Sequence, residues 1–214
     1  MSPNEQLNAL FARWEASNPG YKGRFIKDGI INDTFYQNQR IKLLFIAKEP
    51  NDPTQQAWDF REWWKQEIKY RFAHRIYQWA FGVLNDFPPL EKSDSNQDKI
   101  GTLGSIAFMN LKKVAGGASA DPEEISATVS SDRAFILDEI RIINPDIIIG
   151  GVGATDIWRS LFDGIEFTRC YDIPIARHGN HKIIDFYHPS YRAPRAMSYS
   201  LLQNIVQSVE FQKM

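Results

Sequence analysis

Four short apolar runs constrain this chain more than any other feature: Lys42–Ala47, Ile106–Leu111, Asp146–Gly150 and Lys182–Tyr187. Continuous apolar runs of this length read as strands covered on both faces. Stretches with helical spacing separate or follow them at 58–84, 130–143, 154–162 and 196–212. A further amphipathic stretch at 4–16 carries Leu7, Leu10, Phe11 and Trp14 before the Asn18-Pro19-Gly20 breaker. This alternation predicts an α/β fold, a three-layer α/β/α arrangement around a four-stranded parallel sheet with right-handed crossovers.

No compositional break divides the chain, so one domain is expected over residues 1–214. Residues 1–40 supply a helix and a collar of short aromatic pieces, and residues 41–214 the core. The polar stretch Glu91–Lys99 and the small-residue stretch Ala115–Ala120 read as loops. At this length one core buries roughly 70% of the surface of the unfolded chain, so neither a disulfide nor a structural metal is required. Cys170 is the single cysteine, which excludes an internal disulfide and four-thiolate zinc or iron–sulfur sites within one chain. No apolar run approaches the roughly 20 residues of a membrane helix, and the polar N-terminal stretch lacks a signal-peptide layout. A cytoplasmic protein without membrane contact is expected.

Ligands of open parallel sheets bind beyond the carboxyl ends of the strands. Here those ends read Lys48-Glu49-Pro50-Asn51-Asp52, Asn110 to Lys113, Gly150-Gly151-Val152-Gly153 and His188-Pro189-Ser190-Tyr191-Arg192. Polar, titratable and glycine residues far apart in sequence thus collect at one edge. Glu49, stiffened by Pro50, is placed to orient or deprotonate a water, or else to pair with a nearby cation. His188 can donate to a developing negative charge, with Pro189 and Ser190 fixing the turn and capping a helix. Asn110 offers a donor and an acceptor to a ligand, or to neighbouring backbone.

Other patterns are set aside. The glycines at 150, 151 and 153 lack the spacing of a dinucleotide fingerprint and read as a tight turn or a close backbone approach. His178, His181, Asp185 and His188 do not make a metal site, because strand alternation puts Asp185 opposite His188, and no metal or other cofactor is expected. Ser190 lies too near His188 in sequence to share a proton as a hydrolase pair, and the nucleophile elbow is missing. The cations from Lys65 to Arg75, interleaved with aromatics, read as a solvated face over a buried stripe.

Taken together, three of these loops resemble the uracil-DNA glycosylase superfamily. Ala47-Lys48-Glu49-Pro50-Asn51-Asp52 is similar to the motif ending the family's first strand. Asn110 to Lys113 matches its Asn-x-x-Lys, and His188-Pro189-Ser190 matches its His-Pro-Ser, in order over residues 42–200. The resemblance implies a metal-independent DNA base glycosylase acting on single strands or on a base flipped from a duplex. In that reading Glu49 stabilises the sugar cation and guides water, while His188 bonds the departing base oxygen. Asn110 reads the base edge, and Asn51 stands where uracil-specific members have a tyrosine. Phe60, or Trp58 or Trp63, stacks under the base. Lys48, Lys113, Ser190, Tyr191 and Arg192 contact DNA, Tyr191 or Arg192 at the duplex-wedge position.

With 25 Lys+Arg against 26 Asp+Glu, the net charge of −1 attracts nucleic acid only through a local basic face. Lys48, Lys112, Lys113, Arg192 and Arg195 are expected to ring the cleft. The competing reading is a catalytically silent nucleic-acid or nucleobase binding module on the same fold.

Overall fold

The structure is a computed structural model that describes residues 1–66 and 68–214. All four apolar runs are strands: β2 (Leu43–Ala47), β3 (Ala107–Asn110), β4 (Ile147–Gly150) and β7 (His181–Asp185). They are parallel, in the lateral order β3-β2-β4-β7. The sheet is larger than expected, seven-stranded and mixed rather than four-stranded and parallel. β1 (Gly29–Ile30) joins antiparallel beside β3, while β6 (Ile173–His178) and β5 (Thr168–Cys170) extend the other edge antiparallel beyond β7. Two-residue turns make this second extension: Gly179 and, in the preceding turn, Tyr171 and Asp172 all take positive φ, the backbone of tight hairpins.

Ten α-helices occur among the described residues: α1 (Pro3–Ser17), α2 (Asp33–Gln37), α3 (Phe60–Trp64), α4 (Arg71–Leu84), α5 (Leu90–Ser95), α6 (Lys99–Gly104), α7 (Pro122–Ile143), α8 (Thr155–Leu161), α9 (Arg195–Gln207) and α10 (Val209–Gln212). The expected 58–84 helix is broken into α3 and α4, with Glu67 of that stretch outside the described residues. The expected 91–99 loop is instead mostly α5, which starts after Pro89, with Asp98 capping the start of α6. α7 begins eight residues earlier than the periodicity predicts, at an Asp121 N-cap followed by Pro122. No helix among the described residues is long and apolar enough to cross a membrane.

Strand alternation sorts the core onto the two faces of the sheet. Phe45, Ala47, Phe108, Ile149, Ile184 and Phe186 pack with residues of α3, α4 and α9. Leu44, Ile46, Met109, Ile148 and Ile183 pack with α1, α7 and α8. Covering both faces is what allows the strands to be apolar throughout.

Candidate functional site

The carboxyl ends of β3, β2, β4 and β7 lie side by side, so their loops share one rim. Residue parity then decides which groups can meet. Asn110 follows Phe108 by two and falls on the face of α3 and α4. It is 1% exposed, its backbone N–H donates to Asp28 Oδ2 at 2.7 Å, and its side-chain Nδ2 is buried without a hydrogen-bond partner among the described residues.

Glu49, two residues beyond Ala47, is held rather than free. Lys112 Nζ lies 2.8 Å from Glu49 Oε2 and 2.7 Å from Glu124 Oε1, and the Glu49 side chain is only 5% exposed. A Cβ at position 116 would sit 1.9 Å from Glu49 Cδ, so glycine there makes room for the carboxylate. Burial works against the Lys112 ammonium, but the pairs with Glu124 and Glu49 raise its pKa above the ordinary value. The neighbouring loop is fixed by Asp52, which accepts from Thr54 and, at 2.9 Å, from the Trp58 indole N–H.

Gly151 lets the His188 turn pack closely on the sheet edge while the residue stays exposed on its outer side. A Cβ on Gly151 would lie 3.0 Å from His188 Cα and 3.1 Å from Pro189 Cδ. The His188 backbone therefore passes over the tip of β4. Two strand spacings, about 10 Å, separate it from β3 and Asn110. The Ser190 backbone N–H donates to His188 Nδ1 at 3.2 Å, which leaves the proton of the neutral ring on Nε2. Burial and the adjacent Lys48 ammonium both hold the His188 pKa below the ordinary imidazole value. Its ring contacts Phe72 at 5.8 Å, Phe72 meets Phe108, and Phe108 stacks on Phe60, so a row of rings runs from His188 toward Trp58.

Several expected residues take other places. Lys113 is not a DNA contact: its odd parity puts it with Met109 and Leu111 on the opposite face, fully buried, 2.5 Å from Asp28 Oδ1 and 2.7 Å from Glu139 Oε2. The Glu139 contact has ion-pair distance without hydrogen-bond geometry. The expected ring of five cations is thereby reduced. Lys112 is bound to Glu49 and Glu124, and Arg195 is bidentate on Asp94, leaving Lys48 and Arg192. Phe60 is 8% exposed and enclosed by Trp58, Trp63, Trp64 and Phe108. Asn51 is exposed and bridges to Gly116 through its backbone. Ser190 is exposed and does not cap α9, whose N-cap is Pro194. Tyr191 is 55% exposed and stacks on Tyr187.

Sequence reasoning missed the partners. Lys112, expected among the cations ringing the cleft, is taken up by Glu49 and Glu124. Asp28, which holds the Asn110 backbone, lies in the collar and carries no motif. Among the described residues no group of three or more His, Cys, Asp or Glu is arranged to hold a metal. Neither a protein-family model nor a curated protein matches the sequence.

Proposed function

We propose that this protein is a DNA base glycosylase of the uracil-DNA glycosylase superfamily, hydrolysing the N-glycosidic bond of uracil or a related damaged or mismatched base. One observation carries the reading. On a single face of the sheet edge, an imidazole with its Nε2 proton free stands over Gly151, two strands from a buried amide whose Nδ2 has no hydrogen-bond partner among the described residues. Groups separated by about 10 Å of sheet edge can bracket a flat heterocycle.

In this reading His188 Nε2–H donates to the base oxygen as the glycosidic bond breaks and negative charge moves onto the base. Because the ring is already neutral, it acts as a hydrogen-bond donor rather than as a proton-transferring acid. Asn110 Nδ2 donates to a base carbonyl, satisfying a group whose isolation costs about 1–3 kcal/mol. That donor is closed off from solvent, so a base reaches it only when the side chains over it part. Glu49, ion-paired with Lys112, places negative charge near the positive charge developing on the sugar.

The silent-module reading draws on the same Glu49. Its carboxylate is buried in an ion pair, so the oxygen facing Lys112 is already occupied and not open to a water. An excision assay on oligonucleotides carrying uracil, hypoxanthine, xanthine or mismatched thymine, read as abasic-site formation, decides between the two. The glycosylase reading expects cleavage that falls about 10²–10³-fold in His188→Ala and Glu49→Gln. Binding without abasic-site formation on any substrate favours the silent module.

A further inference from the structure

Arg71, at the start of α4, is not used by the proposed chemistry, yet it faces the loop after β7. Between them lies an open recess of about 440 Å³ lined by Arg71, Arg192, Ala193 and Pro194. Both arginines are exposed, and neither makes an ion pair among the described residues. Arg195 nearby differs, being neutralised by Asp94. Under the recess a third guanidinium is built in: Arg75, 7% exposed, donates to Ser198 Oγ at 2.7 Å and to the Ala193 carbonyl at 2.9 Å. It fixes the recess wall and adds positive charge behind it.

Two further features converge there. α4 starts at Arg71 and α9 at Arg195, each without a side-chain cap, so both present first-turn N–H groups and positive dipole ends. On either side stands an exposed ring backed by a parallel one. Tyr70, 62% exposed, lies 6.1 Å from Trp63 at 17°, and Tyr191 lies 5.0 Å from Tyr187 at 13°. Phosphates suit the cations, and flat unpaired bases suit the rings. The bases of a duplex are already stacked on one another and cannot offer their faces to these tyrosines.

We propose that this surface binds single-stranded DNA, Arg71 and Arg192 holding backbone phosphates while Tyr70 and Tyr191 stack on unpaired bases. The inference rests on the glycosylase reading for its partner and names a single strand as that partner's form. Phe72, next to Arg71, touches His188, so a strand held here passes directly beside the candidate site.

The test is fluorescence anisotropy of the full chain with labelled, undamaged single-stranded DNA, the matching duplex and the matching RNA, over a series of salt concentrations. The single strand should bind tighter than the duplex and RNA. Arg71→Ser with Arg192→Ser should weaken it at least about tenfold and lower the salt slope by one to two. Tyr70→Ala with Tyr191→Ala should weaken the single strand about tenfold and leave duplex binding unchanged. Arg169→Ser, on β5 at the far sheet edge, should change nothing, and all variants should keep the parental melting curve because these side chains are exposed. An unchanged affinity in the double-arginine variant overturns the proposal, as does tighter binding of duplex or RNA, or full competition by a sulfated polysaccharide in the tyrosine variant and parent alike. Tight single-strand binding with no excision of any base sinks the glycosylase and leaves this surface standing. Excision with the double-arginine variant binding normally does the reverse.

Discussion

Asn110 and Lys113 stand three residues apart on one connection, on opposite faces of the sheet, and they differ in what their surroundings complete. Lys113 has everything a buried ammonium needs: Asp28 and Glu139 as counter-charges, and the rings of Trp14 and Phe11 at 5.1 and 5.5 Å. Burial pushes the Glu139 carboxyl well above the ordinary carboxylate value, with Lys113 opposing, so the site holds two carboxyls against one ammonium. Such a site is closed and its charges are paired within the fold, although the Glu139 carboxyl finds ion-pair distance without hydrogen-bond geometry. Asn110 is equally buried, but its amide donor is left unpaired. A polar group in that state lowers stability unless something else completes it. Charges paired within the fold on one face, and an amide donor without a partner at the strand tips on the other, separate the structural polar cluster from the candidate functional one.

The sharpest way to break this comparison is to remove each residue and measure stability. Lys113→Met leaves Asp28 and Glu139 without their cation in a dry site and should cost about 3–5 kcal/mol, read by urea denaturation. Asn110→Ala removes an amide that makes no side-chain hydrogen bond through Nδ2, so its cost should be much smaller, while base excision should suffer. If Asn110→Ala destabilised as much as Lys113→Met, Asn110 would be a structural amide and the contrast between the faces would disappear.

The open face was legible in part. Its four strands could be read because runs such as Leu43–Ala47 are apolar at every position, a pattern only a strand covered on both sides requires. β1, with two residues, is too short to leave a period. β5 carries exposed Thr168 and Arg169, and such an edge strand reads as loop, although the Gly179-Asn180 pair between His178 and His181 was an available hairpin signal. The strand tips were legible as well, since the rule for parallel sheets locates them without side-chain detail. Side-chain partners were not. Glu49 meets Lys112 because two loops from adjacent strands are laid together by the β2–β3 register, a long-range fact that no local pattern contains. The Lys113 assignment failed for a readable reason, because alternation from Asn110 already sends it to the other face.

Gly151 offers a finer test of the open face, because it touches His188 without belonging to the chemistry. Gly151→Ala would bring a methyl to 3.0 Å from His188 Cα, so the His188-Pro189 turn has to shift by a few tenths of an ångström. Small misplacements of a reacting group are costly in rate, and excision should fall about tenfold with the melting temperature little changed. Equal loss of rate and stability would mean that the turn is a packing element and that His188 is not held for a ligand.

The smallest expected effect is a titration, and it asks whether the open face keeps its imidazole neutral. Burial first, then Lys48, lowers the His188 pKa in the fold, while the unfolded chain keeps the ordinary value of about 6.5. Between the lowered value and the ordinary one the unfolded chain binds more protons, so stability rises with pH across that window and levels off above it. His188→Gln should flatten this slope. Lys48→Met removes only the second cause, so the imidazole resonances, followed by NMR against pH, should move part of the way back toward the ordinary value. A His188 that titrates at or above the ordinary value would carry a proton on both nitrogens near pH 6. Ser190 N–H could then no longer donate to Nδ1, and the orientation that leaves Nε2–H for a departing base would be lost.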